Sequence, residues 1–179
     1  MVKITEEEDN YVRICLLLSG ISQRAARSFF DTEFVPSCLY QSFKKEYKTL
    51  YGLKQEKTIN QSQWNRLFPL KGSPDSKTFD VTLIILLLRN LTDLKPPKRG
   101  FDNLPLASDT TPSADLATIK YYRNYIAHIE DGKIESSFFT KAWQDIIGVS
   151  KCIHMELFSS RRRFGIVVFL SSFKIEEIT

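Results

Sequence analysis

Apolar residues recur at three- and four-residue steps along most of this chain, which is the spacing of amphipathic helices. The first such stripe predicts a helix over residues 6–30. Thr5 and the acidic run after it suit a helix start, because carboxylates favour the positive end of the helix dipole. Gly20 is expected to break or kink this helix. The predicted inward stripe consists of Tyr11, Ile14, Cys15, Leu18, Ile21, Ala25 and Phe29.

A second helix is predicted to follow Pro36 and to run to about Tyr51, where Gly52 would close it. The segment 44–57 contains five lysines against two glutamates. This charge run favours a solvated face over a dedicated nucleic-acid patch. The side chains expected to point inward are Leu39, Phe43, Tyr47 and Leu50.

The middle of the chain carries the most apolar segment. Residues 61–68 predict a short helix around Trp64, ended by Pro69 and followed by a turn-rich link over 71–76. Residues 78–91 are apolar nearly all round, which is typical of a central buried helix. A buried strand is the alternative, but the segment exceeds the usual strand length and leucine dominates it, so a helix is favoured.

A loop is predicted over residues 95–112, which hold four prolines and a glycine. Thr111 and Pro112 then predict the start of the helix that bears the candidate site, with threonine as the cap and proline at the first helical position. This helix is expected to end near Asp131 and Gly132.

A last helix is expected to begin near Ser136 or Ser137, and the tail beyond it is different in character. From Arg161 onward, three arginines precede a β-branched run that is interpreted as either a strand or a disordered end. The inward side chains expected for the last helix are Phe139, Trp143, Ile146, Ile147, Ile153 and Leu157.

Together these segments predict an all-α fold, a helical bundle of about five main helices with a long proline-containing loop before the motif helix. The domain is expected to cover residues 6–158, with a tail of uncertain structure over 159–179. With 179 residues, 42% hydrophobic and 26% charged, the composition is that of one ordinary globular domain. A net charge of +4 permits nucleic-acid binding without indicating it.

Three classes of function are disfavoured by the sequence. The three cysteines form no CxxC pair and there are only two histidines, so neither a disulfide framework nor a metal or other cofactor is expected. The N-terminus is acidic where a signal peptide would be basic. The longest apolar run, 83–88, is too short to span a bilayer. A cytoplasmic protein without membrane contact is therefore expected.

The candidate chemistry lies in residues 123–128, Arg-Asn-Tyr-Ile-Ala-His. Arginine binds phosphate through its planar fork and histidine transfers protons near neutral pH. Asn124 and His128 are four residues apart, so on a helix they share a face, whereas Arg123 lies to one side. This geometry disfavours a complete site in one copy and favours a site assembled across a dimer.

The hypothesis is metal-independent RNA cleavage, in which a ribose 2′-hydroxyl attacks the neighbouring phosphorus. His128 would act as acid or base, Arg123 would hold the phosphate, and Asn124 would orient the histidine. Lys120 with Tyr121 or Tyr122 would add phosphate contact and base stacking. The competing interpretation is that these residues are structural or solvated, and that the tyrosines belong to the core or to an interface.

A set of short phrases, in order along the chain, resembles the HEPN domain family, of the type found in the DAZ-interacting RING ubiquitin ligase and related animal multidomain proteins. The resemblance covers about residues 8–158, and the R-x4–6-H signature of the family is matched by Arg123 and His128. Phe101 stands where tryptophan is expected. The phrases are NYVRI at 10–14, QWNRLFP at 63–69, FDVTL at 79–83, LLLRN at 86–90, GFDNLP at 100–105, ADL at 114–116 and YRN at 122–124.

The resemblance implies a helical bundle, dimerisation through the motif helices, and engagement of RNA or nucleotide. It assigns the catalytic positions of the family to Arg123, Asn124 and His128. It also leaves a rival open, because such domains also serve as non-catalytic interaction modules of innate-immune or ubiquitin-ligase assemblies, with signalling proteins as partners. A third alternative is a helical domain in which the motif only caps a helix.

Overall fold

The computed structural model describes the backbone of residues 4–161 and the side chains of residues 4–20 and 22–149. Over the described backbone the chain is helical and contains no strand. Five of its helices have eleven or more residues. The predicted all-α bundle is therefore confirmed. The eight α-helices of this range are α1 Glu6–Leu17, α2 Gln23–Glu33, α3 Leu39–Lys45, α4 Tyr47–Gln55, α5 Gln61–Leu67, α6 Val81–Leu91, α7 Pro112–Ala127 and α8 Ser136–Arg161.

The predicted first helix is two helices joined by one wide turn. A π-helical turn, Leu18–Ser22, separates α1 from α2 and contains Gly20, so the break falls where the glycine indicates it. The start is as predicted: Thr5 accepts from the backbone N–H of Glu8, and the Glu8 carboxylate accepts from the backbone N–H of Thr5.

The prediction of one helix from Pro36 to Tyr51 is wrong in its boundaries. A 3₁₀ turn, Pro36–Cys38, leads into α3, and Glu46 interrupts the helical path before α4 begins. Gly52 lies inside α4 rather than at its end. The helix ends instead where Lys57 adopts a left-handed backbone with φ of 60° and the N–H of Ile59 returns to the carbonyl of Leu53.

Two clusters of buried side chains form the core. The first joins α2–α6 with the beginning of α7, and α6 contributes most to it. The second joins α1, the π turn, the end of α7 and the beginning of α8. Since α7 belongs to both clusters, it connects the two halves of the core and packs mainly on α8. The buried side chains of α6 are Val81, Leu83, Ile84, Ile85, Leu87 and Leu88.

The predicted loop and the start of the motif helix are confirmed. No α-helix is present between Thr92 and Thr111, and the Thr111 hydroxyl then accepts from the N–H of Ala114, with Pro112 at the first helical position. The Ser113 hydroxyl also donates to the carbonyl of Lys95, which ties the start of α7 to the loop.

The predicted end of α7 near Asp131 is wrong, because the helix ends at Ala127 and His128 is its C-cap. The chain must turn early because the segment after it is tied to α1. The N–H of Ile134 donates to the carbonyl of Glu7, and the buried Asn10 amide donates to the carbonyl of Ile134. Gly132, with φ of 65°, allows this return.

The start of α8 at Ser136 is confirmed. The side chains expected at 153 and 157, and the interpretation of the tail from 162 onward, lie outside the described residues. Among the described helices, none is both long enough and apolar enough to cross a membrane.

Candidate functional site

The side chains of the motif helix α7 are buried at its beginning and mostly exposed at its end. From Ser113 to Ile119 every side chain is buried, as expected for a helix that connects two core clusters. Near its end only Tyr122 and Ile126 remain buried. The exposed residues at this end are Arg123, Asn124, Tyr125, Ala127 and His128.

The three residues predicted to carry the chemistry lie together at this exposed end. Among the side chains of residues 4–20 and 22–149, none forms a hydrogen bond or ion pair with the side chains of Arg123, Asn124 and His128. Asn124 thus forms no bond that would orient His128 within one copy of the chain. Since an ideal helix turns about 100° per residue, Arg123 and His128 point about 140° apart. The structure therefore places the three residues at one helix end without a hydrogen bond between their side chains.

His128 occupies the C-cap, with φ of −101° and ψ of 1°, and its N–H contacts the carbonyls of Tyr125 and Ile126. Carbonyl groups at a helix C-terminus carry partial negative charge and favour cations nearby. Arg123 is five residues, or about one and a half turns, upstream of this cap. The end of α7 therefore offers one permanent cation and one proton-transferring group to a molecule outside the chain.

Lys120, predicted to contact phosphate, is held by an acid of the proline-containing loop. Its ammonium group donates to the carboxylate of Asp102, and only 18% of the lysine side chain is exposed. The same hydrogen bond and charge lower the pKa of Asp102. The structure thus uses Lys120 to fasten the loop to α7.

Of the two tyrosines proposed for stacking, Tyr122 is in the core. Its hydroxyl donates to Asp145 on α8 at 2.5 Å, and Asp145 also accepts from Lys141 at 2.9 Å. Burial, followed by this hydrogen bond, raises the pKa of Tyr122. Tyr122 therefore positions α7 against α8 and offers no ring face to a ligand.

Tyr125 is the aromatic residue that the sequence interpretation did not select. It is 42% exposed, and its ring stacks on that of Phe138 with 4.2 Å between centroids. Tyr121, one turn earlier, lies 6.5 Å away and nearly parallel to it. The four-residue spacing of Tyr121 and Tyr125 was the available signal, since it places them on one helix face.

A shallow cavity of about 570 Å³ extends this surface past Tyr121. The loop before α7 supplies the rest of its lining, Arg99, Asn103 and Leu104. The Asn103 amide donates to the carbonyl of Arg99 and shapes this wall. Among the side chains that the structure describes, no group of three or more His, Cys, Asp or Glu is arranged to hold a metal ion. The exposed functional groups at the motif end include the imidazole of His128 and the guanidinium of Arg123.

Comparisons with known proteins agree with this architecture. A family described as "DZIP3/hRUL138-like HEPN" matches residues 36–155, which is more than half of the chain. The human E3 ubiquitin-protein ligase DZIP3 is 29% identical over 136 residues, covering 73% of this chain and 11% of that protein. The mouse protein of the same name is 28% identical over 115 residues, covering 62% of this chain and 9% of that protein. This chain thus spans about a tenth of the length of these relatives, and no solved structure matches it.

Proposed function

Because this chain belongs to the DZIP3/hRUL138-like HEPN family, we propose that it binds single-stranded RNA at the exposed end of α7. The observation that carries the proposal is the exposure of Arg123, Asn124 and His128 at one helix end, without a side-chain partner among the side chains that the structure describes. The hydrogen-bonding groups of the three side chains are therefore available to another molecule.

RNA suits this surface better than a free phosphate does. Arg123 supplies a bidentate phosphate contact, and Tyr125, with Tyr121 beside it, supplies aromatic surface for an unpaired base. Bases are accessible for stacking only where the RNA is single-stranded, so unstructured RNA is the expected substrate class.

The reaction that these groups support is transesterification without a metal. The ribose 2′-oxygen attacks the adjacent phosphorus, the bond from phosphorus to the 5′-oxygen breaks, and a 2′,3′-cyclic phosphate remains. His128 takes the proton from the 2′-hydroxyl and returns one to the leaving 5′-oxygen, while Arg123 stabilises the charge at phosphorus. Asn124 binds the RNA backbone or the imidazole once the site is complete.

The site is completed by a second copy of the chain. Arg123 and His128 of one copy diverge on α7, so they cannot both reach one phosphate unless the arginine side chain curls back. A two-fold axis beside the end of α7 would bring Arg123 of one protomer next to His128 of its partner. The protein is therefore proposed to act as a homodimer through the motif helix.

Cleavage of unstructured RNA in EDTA tests this proposal. Wild-type protein is expected to release products with a 2′,3′-cyclic phosphate end, and His128→Ala is expected to be slower by a factor of about 100 or more. The matched control is His154→Ala, which removes the only other histidine and is expected to cleave at the wild-type rate. Equal rates for wild type and His128→Ala would refute catalysis at this site.

A second candidate function is a non-catalytic interaction module. The observation in its favour is that the matched relatives are named ubiquitin ligases and are about ten times longer than the matched segment. In this alternative Arg123 and Asn124 hold a dimer or a signalling partner, and no RNA is cut. Absence of cleavage by wild type, together with loss of self-association in Arg123→Ala, would favour it.

A further inference from the structure

A second exposed surface lies on α4 and uses none of the motif residues. Tyr47 and Tyr51 are one helical turn apart, and 46% and 45% of their surfaces are exposed. Their rings are nearly parallel, with centroids 5.8 Å apart and 14° between the ring planes. Tyr47 was predicted to point inward with the first core cluster, but the structure turns it outward to join this stack.

The two rings are held in place from below by α5. Tyr47 meets the edges of Trp64 and Phe68 at centroid distances of 5.8 and 5.4 Å, and Tyr51 meets Trp64 at 6.1 Å. Lys54 lies 5.9 Å above the Trp64 ring and donates to Gln61. Since α5 fixes the tyrosines, little conformational entropy is lost when a flat ligand stacks on them.

Exposed lysines surround the stacked rings. Lys44, Lys45, Lys48 and Lys57 are all exposed, and none of them forms an ion pair with another side chain that the structure describes. On α4, Lys48 is three residues before Tyr51, the spacing of helix-surface neighbours. Lys44 lies in the last turn of α3, just before the break that precedes Tyr47. A run of solvated lysines does not by itself account for two aligned, exposed tyrosine rings. The combination of lysines and stacked tyrosines therefore needs an explanation other than a solvated face.

We propose that the α4 surface, defined as Lys44, Tyr47, Lys48 and Tyr51, is a second binding site for single-stranded nucleic acid. Unpaired bases stack on the two tyrosines and the adjoining phosphates contact the two lysines. An acidic peptide would satisfy the lysines but would leave the tyrosine faces without a planar partner. Trp64 and Phe68, which contact the tyrosines of the α4 surface, pack against the first core cluster, whereas Tyr122 at the end of α7 belongs to the second. The two sites are therefore supported by different parts of the core.

The test measures anisotropy of a labelled oligouridine of roughly a dozen nucleotides, titrated with the full chain at several salt concentrations. Tyr47→Ala/Tyr51→Ala is expected to weaken binding by about tenfold or more, because stacking on both rings is lost. The matched control is Tyr40→Ala, which removes a 49% exposed tyrosine of α3 that lies outside the stack. The control is expected to bind within about twofold of wild type.

Charge reversal provides an independent variant that leaves the aromatic packing intact. Lys44→Glu/Lys48→Glu is expected to weaken binding by about tenfold and to reduce the salt slope by about two phosphate contacts. The control Lys77→Glu/Lys95→Glu makes the same change in net charge at two exposed lysines that lie outside α3, α4 and α7. If the control variant loses as much affinity as Lys44→Glu/Lys48→Glu, the loss reflects the change in net charge rather than local contacts, and the proposal is overturned.

Trp64 reports directly on the α4 surface. Trp143→Phe leaves Trp64 as the sole tryptophan of the chain. Saturating oligouridine is expected to change its fluorescence, and unlabelled oligothymidine is expected to compete because stacking does not require the 2′-hydroxyl. An unchanged emission during binding, or binding of polyglutamate in preference to either oligonucleotide, would overturn the proposal.

The Trp64 fluorescence titration also distinguishes binding at the α4 surface from binding at the proposed site on α7. Arg123→Ala/His128→Ala should still change the Trp64 fluorescence on binding, since it leaves the α4 surface untouched. If that variant loses all binding while Tyr47→Ala/Tyr51→Ala binds like wild type, only the site on α7 exists. If the reverse holds, the α4 surface is the sole nucleic-acid site and the proposed function fails.

Discussion

The exposed end of α7 and the α4 surface are both cationic, yet they differ in what supports them. At the end of α7 the three motif side chains have no partner among the side chains of the described part of the chain, and Tyr122 anchors the helix beneath them. On α4 the tyrosine rings are themselves packed, on Trp64 and Phe68. The first surface therefore has reactive groups with freedom to rearrange, and the second has rigid stacking area without a proton-transferring group.

This difference would assign the two surfaces different tasks if both proposals hold. Stacking and phosphate contacts retain a strand, and they are most effective when preorganised. In the proposed reaction, proton transfer depends on His128, and the composite site forms only when two copies meet. Under the two proposals, α4 would retain the strand and the end of α7 would carry out the chemistry.

The largest stability effect is expected where α7 turns from buried to exposed. Tyr122→Ala should lower the free energy of unfolding by about 3–5 kcal/mol, because a fully buried ring is removed. Arg123→Ala, at the next position, should change it by less than about 0.5 kcal/mol. Urea denaturation of the two variants measures both values. A large loss in Arg123→Ala would show that the arginine is structural and would favour the helix-cap interpretation of the motif.

Loss of a helix cap should lower the free energy of unfolding by an intermediate amount. Its effect on the Trp64 fluorescence should depend on which helix loses its cap. Asn60→Ala removes the cap of α5, which accepts from the N–H of Gln63 at 2.9 Å, and should cost about 1 kcal/mol. Thr111→Ala removes the cap of α7 and should cost a similar amount, about 1 kcal/mol. Only Asn60→Ala should weaken nucleotide-induced changes in Trp64 fluorescence, because only α5 supports that surface. Equal changes in both variants would mean that the surfaces are not independent.

The smallest effect is expected from the ion pair between Asp102 and Lys120. Since the folded-state pKa of Asp102 lies below its ordinary value of 3.8, the pair stabilises the fold above that pH and the contribution is lost as the pH falls further. Asp102 is 74% exposed, so the contribution should stay below about 1 kcal/mol. Urea midpoints of wild type and Asp102→Asn should differ at pH 7, and the difference should shrink as the pH is lowered below 3.8. A difference that stays constant or grows below that pH would contradict this assignment.

Much of the fold follows from local signals in the sequence. The Thr111 and Pro112 pair marks the start of α7, and the leucine-rich segment that becomes α6 is too long for a buried strand. Gly20 marks the break between α1 and α2, although the sequence pattern does not distinguish a kink from a π turn. At these positions, the residues that give the sequence signal are the same residues that form the structural feature.

The errors arise where residues distant in sequence decide the structure. The end of α7 is set by hydrogen bonds that tie residue 134 to α1, which lies more than 120 positions earlier. The outward position of Tyr47 depends on the rings that α5 provides. Residue types, helical spacing and the family resemblance located the candidate site, whereas tertiary packing decides the roles of Tyr122 and Tyr125.

The central claim, a composite site at the end of α7, is tested most directly by mixing two inactive variants. Arg123→Ala and His128→Ala are each purified, combined in equal amounts and assayed for RNA cleavage in EDTA. If each site takes its arginine from one protomer and its histidine from the partner, half of the dimers are mixed and each mixed dimer holds one intact site. The mixture should then recover about a quarter of the wild-type rate. A mixture no more active than its separate components would contradict the composite site.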